Sequence, residues 1–140
     1  SSAASDVYKR QIKEFPKKLP AILTGDFNVD QTSESYQLLD GSGIMRDSYE
    51  IADFRYAPNG TFNGFHPDRK TDSRIDHLFL TKEFEVKKYG ILTDTYRSEA
   101  KESARKEQNG NFPKEVSLSK YEARTPSDHF PVMIVVEVKD

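Results

Sequence analysis

Apolar positions fall along this chain in two rhythms. Val7, Tyr8, Ile12 and Phe15 recur at helical spacing, which predicts a helix over residues 6–16, with Pro16 and Pro20 bracketing its end. The run Ala21-Ile22-Leu23-Thr24-Gly25 is short and apolar, as in a buried strand. Residues 31–43 return to a helical pattern, with Thr32 or Ser33 as N-cap and Gly41 or Gly43 as stop. Residues 43–52 extend it by a helical turn or two. Pro, Asn and Gly make residues 56–73 mostly loop, with a brief strand at Thr61–Phe62. Residues 74–81 are a predicted strand, and residues 83–96 another, bent near Gly90. Residues 97–124 are rich in charge and poor in large apolar side chains, and read as a partly helical, partly mobile excursion, not a second domain. The nearly continuous apolar run at residues 130–138 predicts a last strand covered on both faces. Strands and helices are interspersed and no repeat is present, so the class is mixed α/β.

Composition narrows this picture. A chain of 140 residues can form one modest domain with a core, and its nine Phe and seven Tyr argue against global disorder. A net charge of −2 provides no long-range attraction to a polyanion, although a local patch keeps nucleic acid open as a partner. The absence of cysteine rules out disulfides and thiolate metal sites without fixing a compartment. No apolar run approaches the length of a membrane span. Residues 1–11 begin without Met, lack the apolar core of a signal peptide, and look like a translated cloning remnant. The fold is therefore read from residues 12–140.

Three apolar strands end in polar clusters. In "LTGDFNVD", alternation projects Asp26 and Asn28 to one side and turns Phe27 to the core, while Gly25 allows a close approach to the backbone. A carboxylate beside an amide suits a phosphoryl site, where the Asp can orient water or bind a hard cation and the Asn can donate to a phosphate oxygen. The plain alternative is a turn, which Asp and Asn both favour. In "SRIDHLFL", Asp76 shares a side with Arg74, Leu78 and Leu80. A carboxylate there needs a partner, and an ion pair with Arg74 or another base would supply one. His77 falls on the opposite side and reads as a packed histidine. In "TPSDHFPV", Pro126 and Pro131 stiffen the chain around Asp128 and His129. Adjacent side chains diverge, so Asp76 is better placed than Asp128 to orient the imidazole.

"GDFN", "RIDHLFL" and "SDHFPV", in that order, resemble the endonuclease/exonuclease/phosphatase superfamily, which includes DNase I-like nucleases, inositol phosphatases and sphingomyelinases. The resemblance covers roughly residues 12–140. It implies part of a four-layer sandwich, with two β-sheets face to face and helices outside. It implies metal-dependent hydrolysis of a phosphate ester with Mg²⁺, or Mn²⁺ in its place. By motif, Asp26 resembles the aspartate that orients or deprotonates the attacking water, and Asn28 the amide that steadies the transition-state phosphate. Asp76 resembles the carboxylate that orients the histidine, Asp128 a metal-site aspartate, and His129 the histidine on the scissile phosphate. The family also carries an Asn, a metal-binding Glu and usually a His or Tyr before "GDFN", and none is matched here. The expectation is the C-terminal portion of one such domain, partnered by a missing N-terminal half. By itself this portion should be inactive, and a non-catalytic binding module or an inactive gene remnant is the alternative.

Substrate-facing residues are expected in "GTFNGFHP". Phe62, Asn63 and Phe65 could line a pocket, against the plainer expectation that the aromatics pack the core. Arg74 is a further substrate-binding candidate. The mildly acidic balance leans towards a small or lipid-derived phosphate ester over non-specific DNA.

Overall fold

The computed structural model describes residues 19–100 and 121–140, together with Arg10 and Glu14, which are helical. The rest of the expected helix at 6–16, and of residues 1–11, lies outside the described residues. So do residues 101–120 of the charge-rich stretch.

Ile22–Asp26 forms strand β1. It pairs antiparallel with β4, Asp76–Thr81, in a register that sets Asp26 directly opposite Asp76. On the other side of β4 lies β2, Met45–Asp47, completing a sheet of order β1-β4-β2. A second sheet has the order β3-β5-β8, from Phe54–Tyr56, Phe84–Ile91 and Val132–Val138. Tyr96–Glu99 (β6) and Tyr121–Arg124 (β7) pair as an antiparallel ribbon. Helix α1, Glu34–Asp40, and the single turn α2, Ser48–Ile51, complete the described elements.

Helix α1 forms where the sequence marks it. The Ser33 hydroxyl accepts from Tyr36 N–H at 3.2 Å, and Glu34 sits in the first turn. Gly41 ends it, where a Cβ would come within 2.9 Å of the Gln37 carbonyl. Tyr36 and Leu39, three apart, turn one face onto the first sheet and pack with Ala21, Met45 and Phe79. A second cluster joins Tyr89, Ile91 and Phe130 to Val132 and Ile134. Burying a side chain as completely as Phe79 contributes about 1.5–3 kcal/mol.

Four expectations are corrected. Residues 43–52 begin as a strand, because Met45 and Asp47 point inward around an exposed Arg46. The excursion at 97–124 is β-ribbon at both described ends. Strand β5 ends at Ile91, short of the expected residue 96, and its pairing with β8 is irregular between Val86 and Lys88. Strand β8 is covered on one face only. Its even-numbered Val132 and Ile134 face the core, whereas Met133 and Val135 are 47% and 43% exposed. Among the described residues no helix is long and apolar enough to cross a membrane.

Candidate functional site

The site is built where β1 and β4 start and end together. Their register makes Asp26 and Asp76 cross-strand partners, and two carboxylates so placed repel each other. His129 relieves this. Its Nδ1 lies 2.8 Å from Asp76 Oδ2 and its Nε2 lies 3.8 Å from Asp26 Oδ2. The hydrogen bond to Asp76, expected from the side on which Asp76 lies, is therefore present. The Asp76 bond is the main reason that the His129 imidazole is held above its ordinary range. Partial burial opposes this, and the charges of Asp76, Asp26 and Asp128 add to the rise.

The histidine is delivered by a brief bridge between Phe62 and His129. Phe130 N–H donates to the Thr61 carbonyl at 2.7 Å, and Asn63 N–H to the Asp128 carbonyl at 2.8 Å. Thr61 is wholly buried, and its hydroxyl accepts from Ile75 N–H at 2.9 Å and Asp76 N–H at 3.2 Å. One residue thus ties the start of β4 to the histidine segment. Sequence reasoning missed it, since nothing but its place in a two-residue strand distinguishes Thr61 from other loop hydroxyls. Gly60, next to it, has no room for a Cβ, which would lie 2.1 Å from the Ser73 carbonyl.

An open groove of about 430 Å³ runs past the site, lined by Thr24, Asp26, Asp76, Leu78, His129 and Val132 among others. Asn28 and Asp128 do not line it. β1 ends at Asp26, and Asn28 has a left-handed backbone (φ 53°), with its N–H on Asp26 Oδ1 at 2.8 Å. The side-chain alternation therefore does not extend to Asn28. The turn alternative describes its backbone, and that turn holds Asn28 beside Asp26. Asp128 is half-buried and accepts from the Ser127 hydroxyl at 3.4 Å. A Cβ on Gly25 would meet nothing closer than the Phe27 ring at 3.9 Å, so no group crowds that backbone.

The remaining candidates lie elsewhere. Arg74 is buried, stacked 3.5 Å over the Tyr49 ring and within 3.6 Å of Asp47 and 3.7 Å of Glu50. Its ionic partners are these two carboxylates, not Asp76. Asn63 is fully buried, and its Oδ1 accepts from Phe65 N–H at 2.7 Å and the Thr125 hydroxyl at 3.2 Å. Phe62 meets the His129 ring edge to face at 5.2 Å. Phe65 is 64% exposed, against the expectation that it packs the core. His77 is packed among Phe27, Tyr36 and Phe79, with Nε2 3.0 Å from the Val29 carbonyl.

Asp26, Asp76 and His129 form a group of potential metal ligands within 4.8 Å of one another. Their donor chemistry suits a hard divalent cation in part. Both ring nitrogens of His129 face a carboxylate, so the trio is an Asp–His–Asp line, not a closed cage. Mg²⁺ needs only one or two carboxylates besides water and phosphate oxygens, and Asp26, 38% exposed, remains open to it.

The family model described as Endonuclease/Exonuclease/phosphatase family matches residues 3–129. Among solved structures, the chain is similar to a mannosyl-6-phosphatase from Bacteroides thetaiotaomicron, at 50% identity and a TM-score of 0.77, over 95% of this chain and 44% of that one. A Bacteroides thetaiotaomicron protein named for the same family gives 50% identity and a TM-score of 0.78, over 94% of this chain and 43% of that one. A relative from Bacteroides vulgatus gives 26% identity and 0.66, over 96% of this chain and 42% of that one. The chain thus spans less than half the length of these structures. No curated protein matches it.

Proposed function

From a chain that belongs to the endonuclease/exonuclease/phosphatase family, we propose metal-dependent hydrolysis of a phosphate ester at the Asp26–His129–Asp76 site. The observation that carries this reading is the placement of one imidazole between two carboxylates at the rim of a groove. Asp76 fixes the ring and supports its charged form, so Nε2 can donate to a phosphate oxygen and hold it in place. Asp26, the more exposed carboxylate, orients or deprotonates the attacking water. Asn28, turned beside Asp26, donates to the phosphate as negative charge develops. Asp26 would offer a hard oxygen ligand to Mg²⁺ or Mn²⁺, and Asp128, outside the Asp26–Asp76–His129 group, is assigned a second one by its motif alone. When bound, the cation neutralises charge on the phosphate oxygens. Identity of 50% to a mannosyl-6-phosphatase supports a sugar phosphate monoester as substrate, in line with the chain's mildly acidic balance.

The second reading is phosphate binding without turnover by these 140 residues alone. It is favoured by the absence, among the described residues, of any Glu in the three-membered ligand group. A loosely placed cation and water can cost on the order of a hundredfold in rate. The test is hydrolysis of mannose 6-phosphate and of a simple phosphodiester, with Mg²⁺ and with chelator. His129→Ala should lower the Mg²⁺-dependent rate by about 10²–10⁴-fold. A rate unaffected by His129→Ala would overturn the site assignment. Phosphate binding with no turnover would establish the second reading.

A further inference from the structure

We propose that Thr61 is a positioning residue for the hydrolysis: its hydroxyl, by gripping the backbone at Ile75 and Asp76, holds the Asp76 carboxylate where it fixes the His129 imidazole. The inference rests on the phosphate-ester reading of the site. Thr61 is wholly buried, so it meets no substrate and acts only through Asp76.

The peptide group between Ile75 and Asp76 is held from both sides. Its carbonyl accepts from Phe27 N–H at 2.8 Å, which ties it to the end of β1 beside Asp26. Its N–H donates to the Thr61 hydroxyl oxygen at 3.2 Å. The preceding N–H, of Ile75, donates to the same oxygen at 2.9 Å. In a regular strand, successive N–H groups point to opposite edges. Two that converge on one oxygen turn the chain at Asp76, the first residue of β4. The direction of the Asp76 side chain follows from that turn.

The same residue reaches the histidine through its main chain. The Thr61 carbonyl accepts from Phe130 N–H at 2.7 Å, and the neighbouring Phe62 bridges His129. The 2.8 Å bond between His129 Nδ1 and Asp76 Oδ2 therefore closes a circuit that runs through Thr61. Apart from that bond, the Thr61 hydroxyl is the one side-chain link in the circuit. Threonine suits the task, because its branched Cβ restricts χ1 and keeps the oxygen in place. Valine would keep the shape, fill the space that water would need, and leave two N–H groups without an acceptor. Serine would keep the oxygen.

The test compares wild type, Thr61→Val and Thr61→Ser in the full chain, with mannose 6-phosphate and Mg²⁺. Thr61→Val should lower kcat by about 10–100-fold at unchanged KM, and Thr61→Ser should recover most of the loss. In an Asp76→Asn background, Thr61→Val should cost little more, because the link that it serves is already broken. Equal losses in the valine and serine variants, or a full further loss in that background, would overturn the positioning role. A second readout needs no turnover. Asp76 accepts from His129 Nδ1–H, and the low-field proton signal of that N–H in metal-free buffer should persist in Thr61→Ser and broaden or vanish in Thr61→Val. An unchanged signal in folded Thr61→Val would overturn the inference. If Thr61→Val does not fold, amide exchange in the wild type decides: the Ile75 and Asp76 N–H groups should be as protected as those within β4, and exchange at loop rates would overturn the hold. A chain that passes the proton and exchange tests but hydrolyses no phosphate ester would overturn the hydrolytic reading and leave the hold of Thr61 on the Asp76–His129 pair standing.

Discussion

At the scale of single residues, the central fact is electrostatic. Asp26 and Asp76 face each other across β1 and β4, and the arrangement is tolerable because His129 stands between them. Its raised proton affinity has a definite consequence for pH dependence. A group protonated more readily when folded stabilises the fold fully below its ordinary value of about 6.5, and that contribution fades as pH rises through the raised value. Asp76→Asn removes the leading cause. In metal-free buffer, an NMR titration of His129 should place it above the ordinary imidazole value in the wild type and nearer to it in Asp76→Asn. Equal values would show that Asp76 does not set the proton affinity of His129. The Asp76–His129 bond was legible in the sequence because adjacent side chains diverge, which made Asp128 the poorer candidate, and because Asp76 shared a side with two leucines. The position of Asn28 was not. Alternation can be counted only while the strand lasts, and the Asp26 carboxylate ends it by capturing the Asn28 N–H.

At the scale of elements, local signals were readable and distant partners were not. Ser33 and Gly41 marked the ends of α1 because caps act within one turn. The three residues of β3 carried too short a pattern to mark a strand, and its existence depends on pairing with β5. Arg74 shows the same limit. Alternation placed it with Asp76, but its charge is met by Asp47, which also accepts from the Tyr36 hydroxyl at 2.6 Å. Burial and that bond to Asp47 push the Tyr36 hydroxyl well above the usual tyrosine range, so it stays a donor. Arg74→Ala would leave Asp47 buried without its cation and should cost about 3 kcal/mol in urea denaturation. Arg74→Lys should recover only part of this, since lysine loses the planar stack on Tyr49. A variant of unchanged stability but raised KM would instead return Arg74 to the substrate.

At the scale of the whole molecule, the second sheet presents an apolar face to water. The registers align Phe54, Lys88 and Val135 in one row and Tyr56, Gly90 and Met133 in the next. Phe54 and Tyr56 are 59% and 61% exposed, and Met133 and Val135 join them on that face. Strand β8 also lies at the edge of its sheet among the described residues. The unbroken run from Val132 to Val136 suggested a strand covered on both sides, and the run alone could not show which face would be left open. Contiguous exposed apolar surface invites association, and a long apolar edge strand adds a template for strand pairing. The 140-residue chain should therefore self-associate at tens of micromolar, seen as a rise in mass by light scattering. Lysine on an exposed position of an edge strand opposes such pairing. Val135→Lys adds a charge beside Lys88 on the open face and leaves the core face of Val132 and Ile134 intact. It should lower the mass towards that of a monomer with the circular dichroism spectrum unchanged. A wild-type chain that stays monomeric throughout that range would show that the exposed rows are tolerated in water and do not act as a docking face.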